Sequence, residues 1–170
     1  MSIKFSEKQP EWYVVYTYPK CEHKADRKLK DLGITTFLPK QKVVRQWSDR
    51  KKKLEVPLFP NYVFVNVLPH KRFNILKVRE LVRFVSFEGK PAVIPQETIS
   101  SIKKILNGEV DVSNGCFNRA GMKVSISRGQ FSGAKGVLIR KNGRSRLIIQ
   151  IQALNREISV DISVECVEIV

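Results

Sequence analysis

Cys21 and His23 are the first residues in the chain whose types could form a nucleophile and its base. Two positions apart on a helix they point to nearly opposite sides, so they cannot engage each other. Cys21, Cys116 and Cys166 are widely separated, odd in number and in no Cys-x-x-Cys arrangement, which disfavours a disulfide framework and a zinc site alike. Ordinary reduced thiols are expected. His70 stands alone in a polar stretch and reads as a surface histidine. Neither a Walker-type loop nor a GxGxxG run is present, so Gly121, Gly129, Gly133 and Gly136 read as turn and bulge positions, not as a phosphate cradle. Without a carboxylate cluster, a metal-ligand set or a nucleophile pair, no catalytic residue, metal or cofactor is expected.

The residues that do form a pattern are cations. The 170 residues carry 31 Lys and Arg against 16 Asp and Glu, a formal charge of +15, and such a field attracts polyanions. Residues 1–108 hold 22 of the cations and 10 of the acids (+12), whereas residues 109–170 hold 9 and 6 (+3). The polyanion partner therefore belongs to the N-terminal part. Seven cations, Lys40, Lys42, Arg45, Arg50, Lys51, Lys52 and Lys53, face one acid, Asp49, and surround Trp47, a ring able to stack on a base. Lys24, Arg27 and Lys28 form a second group, which a solvated helix surface would explain as readily as a nucleic-acid contact.

These groups must be held by folded elements. With 42% hydrophobic and 28% charged residues, and no apolar run near the ~18 needed to cross a bilayer, the chain reads as soluble and without a membrane partner. MSIKFSEKQP has no apolar export core and no small-residue cleavage site, so a cytoplasmic location is expected. WYVVY (Trp12–Tyr16) predicts a buried strand, and Ala25, Leu29 and Leu32 predict an amphipathic helix over Lys20–Leu32, stopped by Gly33. A strand over Ile34–Leu38 follows, then an exposed hairpin between Pro39 and Pro57 turning at Ser48-Asp49. Strands are expected over Asn61–Leu68 and Val82–Phe87, and helices over Pro69–Val78 and Pro95–Leu106, the last with Ile99, Ile102 and Ile105 at helical spacing. Residues 109–118 are polar and aperiodic, the pattern of a flexible linker. After residue 118 come five short β-branched runs, MKVSI, GVLIR, LIIQIQ, REISVDI and VECVEIV, which predict a small five-stranded barrel over 119–170. The fold class is thus α+β.

Two aromatic features admit two readings each. On a strand Tyr62 and Phe64 share one side and Val63 and Val65 the other, so a sheet packed under helices on the valine side would expose the rings to a protein partner. In a small domain they could equally be core. Phe131, in a turn between Gly129 and Gly133, is either offered to a partner or closes one end of its own barrel.

Three stretches, WYVV (Trp12–Val15), PLFPNYVFVNV (Pro57–Val67) and GKPAVIP (Gly89–Pro95), resemble the N-terminal domain of the NusG family of transcription elongation factors. GMKVSISRGQFSGAKGVLIRKNGRSRLIIQI (Gly121–Ile151) resembles its KOW motif. The resemblance implies a ferredoxin-like antiparallel sheet flanked by helices over 1–108 and an SH3-like KOW barrel over 119–170. It also implies a monomer that suppresses pausing or termination. Val14, Phe59, Tyr62 and Phe64 would meet the clamp helices of the largest RNA polymerase subunit. Lys24, Arg27, Lys28, Arg45, Trp47, Arg50, Lys51 and Lys52 would meet non-template DNA in the transcription bubble. Phe131 would meet termination factor Rho or a small-subunit ribosomal protein. PLFPNYVFV with RQWSDRKKK is similar to operon-specific paralogues, RfaH and the UpxY regulators of surface-polysaccharide operons, although HKRFNILKV does not reproduce the His-Thr-Thr element of RfaH. The rival is an RNA-binding or ribosome-associated KOW protein, which would call for a more basic barrel than +3. The β-branched content of SRLIIQIQ and REISVDI argues against an RfaH-like helical form of the C-terminal region.

Overall fold

A computed structural model of the chain describes residues 9–46, 51–106, 110–114, 121–141 and 144–170. Backbone contacts divide it into two units, Met1–Leu38 with Pro60–Val93, and Pro39–Phe59 with Ile94–Val170.

The first unit is built on β1 (Glu11–Thr17), α1 (Glu22–Asp31), β2 (Thr35–Phe37), β5 (Tyr62–Val67) and β6 (Leu81–Phe84), with the hairpin β3 (Lys40–Gln46) and β4 (Lys51–Pro57) falling between β2 and β5 in the chain. Its sheet runs β2-β5-β1-β6, and β5 lies antiparallel to β1, Val15 opposite Val63 and Tyr13 opposite Val65. Tyr13, Val15, Val63, Val65 and Val67 share one side with Ala25 and Leu29 of α1 and with Ile75, Leu81 and Phe84, forming the core. The two-residue period of the strands and the four-residue step of the helix bring these side chains to one layer. Gly33, at φ +74, turns the chain out of α1 as expected; Leu32, one residue past the helix, is 64% exposed and not part of the apolar stripe. A 3-10 helix (Arg72–Lys77) replaces the longer helix expected after Pro69, and β7 (Ser86–Phe87) and β8 (Lys90–Pro91) make a small hairpin before β9 (Val93–Ile94).

The second unit holds the β3–β4 hairpin, α2 (Gln96–Ile105) and a six-stranded antiparallel sheet. Five of its strands are the five expected runs: β11 (Met122–Ile126), β12 (Lys135–Lys141), β13 (Arg144–Ile151), β14 (Arg156–Ile162) and β15 (Val167–Ile169). The sixth is β10 (Val110–Asn114), which lies within the expected linker and instead pairs with β14 along five positions. Its VDVSN sequence alternates just enough to join an edge, a pattern too short to separate from loop. Residues 115–118 of that linker lie outside the described residues. The sheet order β10-β14-β13-β12-β11-β15 suits a KOW-type barrel. Ile99, Ile102 and Ile105 of α2 are fully buried, and the helix packs on β12 and β13, where Ser101 Oγ accepts the Lys135 N–H at 2.9 Å. Among the described residues no helix is long and apolar enough to cross a membrane.

Candidate functional site

Tyr62 is positioned from both ends of a short bracing network. Asn61 precedes it in the left-handed region (φ 69), a conformation that asparagine tolerates better than most residues. Its N–H donates to Glu22 Oε1 at 2.7 Å, and its carbonyl accepts from Thr17 N at 2.8 Å. Glu22 is buried in the first turn of α1, so helix and strand β1 together determine where β5 begins. That start places Tyr62 opposite Tyr16, their rings edge to face at 5.4 Å. Arg83 lies over the Tyr16 ring at 6.0 Å, and Tyr18 is 54% exposed. Tyr16 and Tyr62 are half-buried, so this corner presents aromatic edges and a cation to solvent.

The other three expected polymerase contacts differ from the expectation of exposure. Val14 and Phe64 have no exposed surface, and Phe59 retains 2%. Val14 stands opposite Phe64 in the ladder, and Phe37 meets Phe64 with ring centres 5.9 Å apart. The sheet is therefore buried on the ring side as well as on the valine side. Tyr16, Tyr18 and Arg83 were not singled out from sequence. The tyrosine alternation in VVYTY was the available signal, but the register that pairs Tyr16 with Tyr62 was not readable.

The α1 cations split. Lys28 Nζ donates to Glu80 Oε1 at 2.8 Å and Lys24 Nζ stands 3.2 Å from the same oxygen, while Arg27 is exposed. The hydrogen bond from Lys28, assisted by Lys24 against the cost of desolvation, holds the Glu80 carboxyl at about 2, well below its ordinary 4.5. Lys24 and Lys28 thus have a structural task at the base of β6. Opposite them in character is Tyr13, whose hydroxyl donates to Glu11 at 2.5 Å and whose pKa is raised by burial and by that carboxylate.

The expected hairpin is present, with Arg45 opposite Lys52 and Gln46 opposite Lys51. Lys51, Lys52 and Lys53 are all exposed although strand alternation sends them to both faces, so this end of the ribbon has solvent on either side. Trp47 and Arg50, with the Ser48-Asp49 turn, lie outside the described residues, as does the Arg45 side chain. Phe131 is 8% exposed and so belongs to the interior of its unit. The turn around it is closed by Gly133 N–H to Ile126 O at 2.6 Å and Ala134 N–H to Phe131 O at 2.9 Å, which folds the ring inward. Among the described residues no three His, Cys, Asp or Glu gather as metal ligands.

The chain thus has two parts: an α+β unit with an aromatic corner, and a sheet-rich unit with a cationic ribbon. Over residues 10–103 the chain matches the family described as transcription termination factor nusG, and it belongs to the NusG family of transcription factors. Among solved structures it is similar to one described as domain interaction in Thermotoga maritima NusG, at 24% identity over 95% of this chain and 98% of that one, with a TM-score of 0.47. It also matches a chain of an MjSpt4:Spt5 complex at 17% identity over 94% of this chain and 97% of that one, with a TM-score of 0.29.

Proposed function

We propose that this transcription factor binds RNA polymerase through its N-terminal domain, residues 1–108, and suppresses pausing or termination. The Tyr62 corner is the contact that carries the reading. It combines half-buried tyrosine rings, an exposed Tyr18 and Arg83 on a rigid sheet, the residue types that dominate protein interfaces. By family likeness its target is the clamp helices of the largest subunit. Val14 and Phe64, buried on the same side of the sheet as Tyr16 and Tyr62, are the packed neighbours that set its geometry.

The β3–β4 ribbon, with Lys51 and Lys52 exposed, meets non-template DNA in the bubble, and an outer end with lysines on both faces suits a strand whose phosphates approach from either side. The C-terminal domain, residues 119–170, recruits a second partner, Rho or a ribosomal protein, for which Phe131 supports the loop from inside. The similarity of PLFPNYVFV and RQWSDRKKK to specialised paralogues points to operon-specific action on surface-polysaccharide genes. Suppression of pausing follows if the factor binds the elongating state of polymerase better than the paused one, since only that difference shifts the balance. A coupling of ~1–2 kcal/mol would change the ratio roughly five- to thirtyfold.

The test is retention. The tagged full chain should hold RNA polymerase subunits from lysate at moderate salt, and Tyr62→Ala, with its thermal midpoint checked, should release them. Retention of ribosomal particles instead would favour the RNA-binding alternative, and polymerase retention indifferent to Tyr62→Ala would remove the corner from the interface.

A further inference from the structure

The first unit has a cleft of about 450 Å³ between the start of β1, the turn after β5, and β8 with β9. Glu11, Tyr13, Arg72, Lys90 and Val93 are among the residues that line it. Tyr13 belongs to the valine side of the sheet, with Val15, whereas Tyr16 and Tyr62 belong to the other side, so the cleft is a surface apart from the aromatic corner. Its volume falls in the range of small-molecule sites.

The polar groups of this cleft are held in place by the fold. Tyr13 is buried, and its hydroxyl donates to Glu11 Oε2 at 2.5 Å. Arg72 is half-buried: its Nη1 donates to the Pro69 carbonyl at 2.9 Å, and its guanidinium lies 4.8 Å from the centre of the Phe73 ring and 5.9 Å from that of Tyr13. These contacts position the cation without neutralising it. Nε is buried with no hydrogen-bond partner, and among the described residues neither Arg72 nor the exposed Lys90 forms an ion pair. Keeping a guanidinium partly out of water with no counter-ion costs free energy, which a bound anion would offset. The planar fork of an arginine matches phosphate oxygens, and Lys90 supplies a second charge at the same cleft. Glu11 narrows the class of ligand. Its carboxylate repels a bare anion, yet the oxygen that Tyr13 does not occupy can accept from a hydroxyl or an amine.

We propose that this cleft binds a small phosphomonoester that also carries a hydroxyl or amino group, with Arg72 and Lys90 holding the phosphate and Glu11 accepting from the donor. Val93, 50% exposed, gives the body of the ligand an apolar wall. Nucleotides and sugar phosphates share this chemistry.

The experiment titrates the full chain at low salt, by isothermal calorimetry, with adenosine monophosphate, glucose 6-phosphate and inorganic phosphate as probes. At least one of the two organic phosphates should bind, and inorganic phosphate should bind roughly tenfold more weakly, since it has no body to reach Glu11 and forgoes that charge-assisted hydrogen bond. Binding of one organic probe alone assigns the site to nucleotides or to sugar phosphates; binding of both assigns it to phosphomonoesters whatever their body. Arg72→Gln should weaken the organic probe roughly 10- to 150-fold, and Lys90→Gln roughly two- to tenfold. Lys90 is exposed, so its variant should keep the fold even where Arg72→Gln does not, with far-ultraviolet circular dichroism as the check. The proposal is overturned by neither organic phosphate binding at millimolar concentration, by inorganic phosphate binding as tightly as they do, or by an affinity that Lys90→Gln leaves unchanged.

Discussion

Replacing Phe64 by alanine separates the packed base of the aromatic corner from its surface. The ring has no exposed surface, lies against Phe37 at 5.9 Å, and stands opposite Val14, which is itself sealed. Phe-to-Ala truncations in cores cost about 3–5 kcal/mol, more where neighbours cannot collapse into the cavity. Here the neighbours are strand residues held by ladders on both sides of β5, so the upper half of that range applies, ~4–5 kcal/mol. Against a total stability of ~5–15 kcal/mol this removes a large share. Urea unfolding followed by circular dichroism reads it directly: with an m value of ~2 kcal/mol/M, the midpoint should fall by about 2 M. Tyr62→Ala is the comparison. It loses an edge-to-face contact with Tyr16 and a partly exposed ring, an effect of ~1–2 kcal/mol, and its midpoint should move by less than half as much. A Phe64→Ala shift under about 0.5 M, or a Tyr62→Ala shift equal to it, would refute the division between support and surface.

Glu80 supplies a pH-dependent test. Its folded carboxyl sits at about 2 against an ordinary 4.5, so the stabilisation it gives is complete above the ordinary value and fades as pH falls from there toward 2. Glu80→Gln should flatten stability across that acid window, and a carbon-13 titration placing Glu80 at an ordinary carboxylate value would contradict the two-lysine arrangement. Gly136→Ala should destabilise the C-terminal sheet by ~1–3 kcal/mol, because a methyl there would lie 2.4 Å from the Ile148 carbonyl oxygen of the neighbouring strand. Amide exchange should show the loss in β12 and β13, and protection unchanged in both strands would mean the strands are not so closely apposed.

Much of the fold was legible because it rests on local periodicity. Ala25 and Leu29 marked the buried side of α1, Ile99 to Ile105 marked α2, and the five β-branched runs after residue 120 became five strands. Exposure was harder to read. The valine side of β5 followed from alternation, but YVFV is a continuous apolar run, the pattern of a strand covered on both faces, and burial of Phe64 was the outcome that pattern favoured. For Phe131 a turn position suggested display, whereas the turn's own hydrogen bonds fold the ring inward. The Glu80 site had no sequence signature at all, since its hydrogen-bonding partner Lys28 lies 52 positions away and only the tertiary fold brings them together.

The pairing of β10 with β14 changes what the connection after α2 can do. At about 3.4 Å per residue, the five paired residues keep roughly 17 Å of chain stowed along an edge. Peeling that strand would leave the other five strands in place and bare the N–H and C=O groups along the β14 edge, the arrangement on which another strand can pair.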